Sequence, residues 1–239
     1  MLASSPTEPV TAPSALRHVQ IVIYPGFKCM EAVGPVNVFT AANRYLAAAS
    51  HPARYDVELI APTPGPVQSE SFLTLTAERA LAEATPQDTV MIAGALEIEE
   101  ALRGNPQIVD WCRRHAAQAR RLASLCTGTF FLAEAGLLDG RRATTHWSVA
   151  ARLQQAYPDV RVEADAIFLR EDNLYTSAGV TAAIDLALAF VEQDFGRDLA
   201  LSVARDMVIY LKRPGGQSQF SAVLTGQAQV HSGIADIRT

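Results

Sequence analysis

Short apolar runs alternate along this chain with longer stretches of helical period, and that alternation restricts the fold more than any other feature. Residues 18–25 (HVQIVIYP) read as a buried strand, 55–62 (YDVELIAP) as a second, 88–94 (DTVMIAG) as a central one and 120–126 (RRLASLC) as a fourth. Between and after them, the period predicts a helix from Gly34, with Pro35 in its first turn, and another over 105–119, opened by Asn105 and Pro106. Further helices are expected over 127–138, 149–157, 181–196, ended by Gly196, and 199–211, capped by Asp198. A short edge strand is expected within 69–81 and a strand pair around the turn Glu171-Asp172-Asn173. The pattern predicts an α/β fold, a three-layer sandwich with helices on both faces of a mostly parallel central sheet.

At 239 residues, with 49% hydrophobic and 19% charged side chains, the chain is long enough for one sizeable core. A net charge of −5 without any strongly basic block argues against these residues holding DNA by themselves, because phosphate neutralisation supplies most nucleic-acid affinity. The longest apolar candidate for a membrane span, AAIDLALAF, is short and is interrupted by Asp185. Residues 1–16 contain three prolines and no Lys or Arg, which reads as a disordered lead-in rather than a signal peptide, so a cytoplasmic location and no membrane partner are expected. Cys29, Cys112 and Cys126 are too few and too scattered for a disulfide framework. The histidines at 18, 51, 115, 146 and 231 lack ligand spacing, so no metal or cofactor is expected.

Cys126 stands where the fourth strand gives way to a helix, at the carboxyl edge where parallel sheets bind ligands. Ser124, Cys126 and Gly128 form an S-x-C-x-G pattern similar to a nucleophile elbow, in which small flanking residues relieve crowding at a tight turn. Unpaired N–H groups of the next helix, beginning at Thr127, would favour the thiolate. The competing reading is a buried, inert cysteine. His146 is either a general base or a packed ring beside Trp147, and Asp185 either a pocket contact or a structural hydrogen-bond partner. Cys29, near Glu31, reads as a packing residue or a contact at the pocket rim, and Cys112 as core or surface filler.

The segment SLCTGTFFLAEAGLLDGRRATTHW (124–147) resembles the ThiJ/PfpI branch of the class I glutamine amidotransferase-like superfamily, with its flavodoxin-like fold. It is most similar to isonitrile hydratases and to the amino-terminal domains of AraC-type transcriptional regulators. Residues 24–39, 91–95 and 174–196 extend the likeness across nearly all of 18–215. The resemblance implies that Cys126 occupies a strained turn beside Glu31, that the sulfur reaches a solvent-accessible hollow, and that backbone N–H groups of Gly94 and Ala95 lie near it. Burial next to the sulfur would leave Glu31 protonated and able to donate a hydrogen bond, whereas a solvated carboxylate would merely answer the helix dipole. Thr127 stands where the protease branch carries its histidine.

Residues 195–224 resemble the connection from such a domain to a pair of helix-turn-helix motifs. The expected organisation is therefore a lead-in (1–16), an effector-binding domain (17–213), and a linker with the start of a missing AraC-type domain (214–239). On this reading the chain is the effector-sensing and dimerising part of a transcriptional regulator. Its partners would be a small molecule at the Cys126 pocket, a second copy, and promoter DNA through the missing domain. The alternatives are a cysteine-dependent isonitrile hydratase-like or amidase-like enzyme, a redox sensor at Cys126, and a purely structural dimer module.

Overall fold

In the computed structural model, residues 16–84, 88–212 and 216–217 are described; residues 1–15 of the expected lead-in and nearly all of the expected linker lie outside them, while Leu16 already belongs to the first strand. Seven strands form the central sheet: β1 (Leu16–Val22), β2 (Arg54–Ala61), β3 (Arg79–Ala80), β4 (Thr89–Ile92), β5 (Arg121–Ser124), β6 (Phe168–Glu171) and β7 (Leu174–Ser177). Their spatial order is β6-β7-β5-β4-β1-β2-β3, and only the β6–β7 pair is antiparallel. Strands β4, β5 and β7 are buried at every position, as strands covered on both faces must be. This is why none of the three shows the in-and-out alternation of a half-exposed strand.

The helices are α1 (Cys29–Ala48), α2 (Ile98–Gly104), α3 (Pro106–His115), α4 (Thr129–Glu134), α5 (Ala150–Ala156), α6 (Ala182–Phe195) and α7 (Arg197–Asp206). Helices α1, α6 and α7 pack on one another in one layer, and α2, α3 and α4 in a second. Two small accessories flank the sheet: a hairpin of Gly65–Gln68 with Thr74–Ala77, and a parallel pair of Arg142–Ala143 with Arg161–Val162. From β1 the chain runs one way to β2 and β3, and the other way to β4, β5 and β7. That reversal opens a crevice at the carboxyl ends of β1 and β4, where a doubly wound sheet holds its ligands.

The structure departs from the sequence reading in the helices. Helix α1 starts at Cys29 rather than Gly34, which leaves Pro35 inside the helix and brings Glu31 into its first turn. The early start is supported from afar: Cys29 N–H donates to Glu70 Oε2 (2.7 Å), and Lys28 N–H donates to the Gly94 carbonyl (2.8 Å). Helix α2 went unforeseen. Helix α7 stops at Asp206, where Ile209 N–H returns to the Ala204 carbonyl and Val208 N–H to that of Arg205. This is a Schellman closure with Val208 (φ 55°) in the left-handed position that glycine usually takes.

Candidate active site at the strand–helix elbow

Cys126 has φ 52°, a left-handed conformation that costs a non-glycine residue about 1 kcal/mol or more. Packing around the turn holds it there. A Cβ on Gly128 would come within 2.5 Å of the Ile92 carbonyl oxygen, and one on Gly94 within 2.5 Å of Thr127 Oγ1 and 2.9 Å of Thr127 N. Glycine at both positions therefore lets the loops after β4 and β5 touch backbone to backbone. The Thr127 hydroxyl seals the contact, donating to the Ala95 carbonyl (2.7 Å) and accepting from Ala95 N–H (2.8 Å). The Cys126 carbonyl accepts from Thr145 Oγ1 (2.8 Å) and Thr129 Oγ1 (3.1 Å), while Ser124 Oγ meets Thr129 Oγ1 at 2.9 Å.

Glu31 enters from α1 and is fully buried. Its Oε2 accepts from Gly94 N–H at 2.7 Å. Its Oε1 closes no full hydrogen bond, although the Cys126 thiol is near enough to act on the carboxyl. Burial pushes the Glu31 carboxyl up to about 8, against the pull of Gly94 N–H and the thiol, so the acid carries its proton at neutral pH. Burial, reinforced by Glu31, also raises the Cys126 thiol well above its ordinary range, and the opposing influences of Lys28 and Thr127 N–H do not offset this. The expected helix-end stabilisation of a thiolate is thus outweighed by desolvation: a 3-10 turn and the six residues of α4 cannot compete with complete burial.

The structure brings together Cys126, Glu31, Gly94, Ala95 and Thr127 from the loops after three adjacent strands. Gly94 and Ala95 do sit at the elbow, but their N–H groups are committed to Glu31 and Thr127. Cys126 is 0% exposed, so the sulfur does not open onto solvent in this state. Two hollows flank the elbow, and Cys126 lines neither. One of about 480 Å³ lies beside Ala95, with Pro25, Gly26, Glu70 and Leu96; the other, about 250 Å³, lies beside His146, Trp147 and Gly179.

His146 belongs to that second hollow. Its Nδ1 pairs with Ser148 Oγ (2.7 Å), and its ring packs where a Cβ on Gly179 would meet it at 2.5 Å. Burial and the Lys28 charge lower its proton affinity. Asp185 is buried in the first turn of α6, a helix that lies along α1. Cys29 and Cys112 are both buried, and burial raises the Cys112 thiol to about 12.

Two neighbours had no sequence signal. Lys28, half-buried ahead of α1, acts electrostatically on Glu31, Cys126 and His146 together. Tyr24 donates from its hydroxyl to the Ala93 carbonyl (2.8 Å) and feels both Glu31 and Cys126. Among the described residues no group of His, Cys, Asp or Glu side chains could hold a metal ion, and no helix is long and apolar enough to cross a membrane.

This fold, with a cysteine elbow and a neighbouring acid, belongs to a recognised class: the chain is a member of the DJ-1/PfpI family, whose model matches residues 17–193. Among curated proteins it is 33% identical over 204 residues to the HTH-type transcriptional regulator CdhR of Pseudomonas aeruginosa, covering 85% of this chain and 58% of that protein. It is 36% identical over 140 residues to an isonitrile hydratase of Pseudomonas putida, covering 56% of this chain and 58% of the hydratase. This chain spans about half the length of the curated relatives it matches. A solved AraC family transcriptional regulator from Pseudomonas putida superposes with a TM-score of 0.66 at 22% identity, over 80% of this chain and 99% of the other. A ThiJ/PfpI family protein from Pseudomonas syringae gives a TM-score of 0.70, also at 22% identity, over 93% of each chain. At that identity the likeness shows the fold alone.

Proposed function

We propose that this chain is the effector-sensing and dimerising part of an AraC-type transcriptional regulator, with a small molecule received at the Cys126 elbow. Promoter DNA would be held by a helix-turn-helix region following residue 239. The division into lead-in (1–16), sensing domain (17–213) and linker (214–239) is part of the same proposal. One observation carries it: the elbow keeps its geometry while its chemistry is quenched. The thiol is neutral and buried, the acid beside it holds its proton, and His146 is turned to Ser148. The two amides at the turn are occupied by this chain's own oxygens, so neither is free to stabilise an oxyanion. The likeness to a helix-turn-helix regulator over 85% of the chain supports the same reading.

A receptor needs a polar and adaptable site, and the buried Glu31 carboxyl, met by Gly94 N–H and the Cys126 thiol, supplies a polar group that an incoming ligand would engage. Dimerisation draws on apolar surface that a lone domain has little reason to expose, such as Val208 (90% exposed) and Tyr210 (73%) at the end of the α7 region. The rival reading, an isonitrile hydratase-like enzyme with Cys126 as nucleophile, rests on the P. putida relative. Incubation with an alkyl isonitrile decides between them. The receptor reading expects no N-substituted formamide above background; formation of that product, abolished in Cys126→Ser, would overturn it.

A further inference from the structure

Gly216 and Gln217 follow the core, and Gln217 returns into it. Its side chain is buried (4% exposed) in a crevice between the turns at 144–147 and 164–166. The amide Nε2 lies 2.9 Å from the carbonyl oxygens of Thr145, Ala164 and Ala166, and 3.3 Å from Thr144 Oγ1. On the other side Oε1 accepts from Trp147 N–H at 2.9 Å, and the Gln217 backbone N–H donates to the Asp165 carbonyl at 2.9 Å. A primary carboxamide combines the two features this crevice asks for, an N–H2 group whose two hydrogens are shared among the carbonyls and an oxygen that answers the Trp147 N–H. A carboxylate would face three carbonyl oxygens, and an ammonium or guanidinium would leave the Trp147 N–H unanswered. Gly216 is equally constrained, because a Cβ there would collide with the Asp165 carbonyl oxygen.

The crevice adjoins the elbow through a short chain of hydrogen bonds. Thr145, whose carbonyl receives the Gln217 amide, donates from its hydroxyl to the Cys126 carbonyl (2.8 Å). The Thr129 hydroxyl, with one hydrogen to donate, faces the Cys126 and Thr144 carbonyls at 3.1 and 2.9 Å. The turn that Gln217 closes is therefore the turn that holds the strained residue in place. Gln217 also lines the hollow beside His146.

We propose that this crevice is a carboxamide-binding site which the chain fills with its own Gln217, and that its occupancy locks the Cys126 elbow shut. The lock gives Gln217 a direct mechanical hold on the site, whatever molecule the site receives. Emptying the crevice frees the 144–147 turn, loosens the Cys126 carbonyl and exposes the thiol.

Three variants of the 239-residue chain test this: Gln217→Ala, Gln217→Glu and Gly216→Ala. The last keeps the amide but prevents its seating. Hydrogen exchange at the Trp147 amide and iodoacetamide labelling of Cys126, mapped by mass, are each expected to accelerate by about tenfold or more in all three, as for a local opening. Protection over β4 should be unchanged. Propionamide in high millimolar excess should slow both processes in Gln217→Ala and leave the native chain unaffected. Unchanged Trp147 exchange in Gln217→Ala would overturn the site. Faster exchange with unaltered Cys126 labelling would overturn the lock, and collapse of β4 protection in all three variants would reduce Gln217 to a structural plug. None of these readouts depends on isonitrile turnover, so the lock can fail while the receptor reading stands, and the reverse.

Discussion

The two ends of the central sheet handle buried polarity in opposite ways. At the amino-terminal end, Asp194 from α6 receives Arg120, Arg121 and the Tyr55 hydroxyl (3.0 Å), while Asp88 meets Arg120 (2.7 Å) and Arg17 (3.8 Å). The Arg121 guanidinium also lies 4.4 Å from the centre of the Phe190 ring. Burial pushes the Asp194 carboxyl upward, and Arg120 pulls it back. Every charge here has a counter-charge, although Arg17 Nε and Arg121 Nη1 close no hydrogen bond. At the carboxyl end, Glu31 and Cys126 are as deeply buried but carry no charge, one carboxyl oxygen closes no full hydrogen bond, and the backbone is left-handed at a non-glycine residue. The first arrangement clamps α6 to β2 and β5 through paired charges; the second keeps uncharged polar groups and a strained residue where a ligand can use them.

The comparison breaks first at the clamp. Asp194→Asn leaves two guanidiniums without their shared carboxylate and should cost about 3–5 kcal/mol in urea unfolding. A loss under about 1 kcal/mol would mean that the charges there are incidental.

At the other end the effect should have the opposite sign. Glu31 titrates at about 8 when folded and near 4.5 when unfolded, so between those values the folded state keeps a proton that the unfolded chain has released. Native stability should therefore fall as pH rises from about 4.5 to 8 through this group, and then level off. Glu31→Gln removes that slope. It should match the native protein at pH 5 and exceed it by up to about 4 kcal/mol at pH 9. Parallel pH profiles would refute the assignment.

Gly94→Ala forces a methyl against Thr127 and should cost about 1–3 kcal/mol by thermal unfolding. A neutral outcome would show that the two loops can separate freely. Asp110→Ala, which removes the exposed pair with Arg113, belongs to neither end and should change stability by less than about 0.5 kcal/mol. A larger loss would mean that exposed pairs matter here as much as buried ones.

What the sequence made legible follows from how local each cause is. The buried strands and the Gly196 stop of α6 are written in runs of neighbouring residues, and so is the elbow, because the pattern of Ser124, Cys126 and Gly128 encodes a tight turn directly. The start of α1 was misplaced because its support comes from Glu70, 41 residues away. The hairpin at 65–77 was reduced to one edge strand, since its Pro-Gly punctuation reads as a simple break. The protonation of Cys126 went the other way from the helix-end argument, because complete burial is a property of the assembled layers and not of the turn. Gln217 was invisible for the same reason: its partners lie 51 to 73 residues earlier, within a stretch whose Gly, Gln and Ser content reads as a linker.

A protonated Glu31 beside a neutral thiol is the claim on which the receptor reading most depends. Carbon-13 NMR of glutamate side-chain carboxyls, assigned by the signal lost in Glu31→Gln, measures that proton directly. A titration midpoint near pH 8 is expected for the native protein. A midpoint near 4.5 would place a carboxylate against the sulfur at neutral pH and contradict the account.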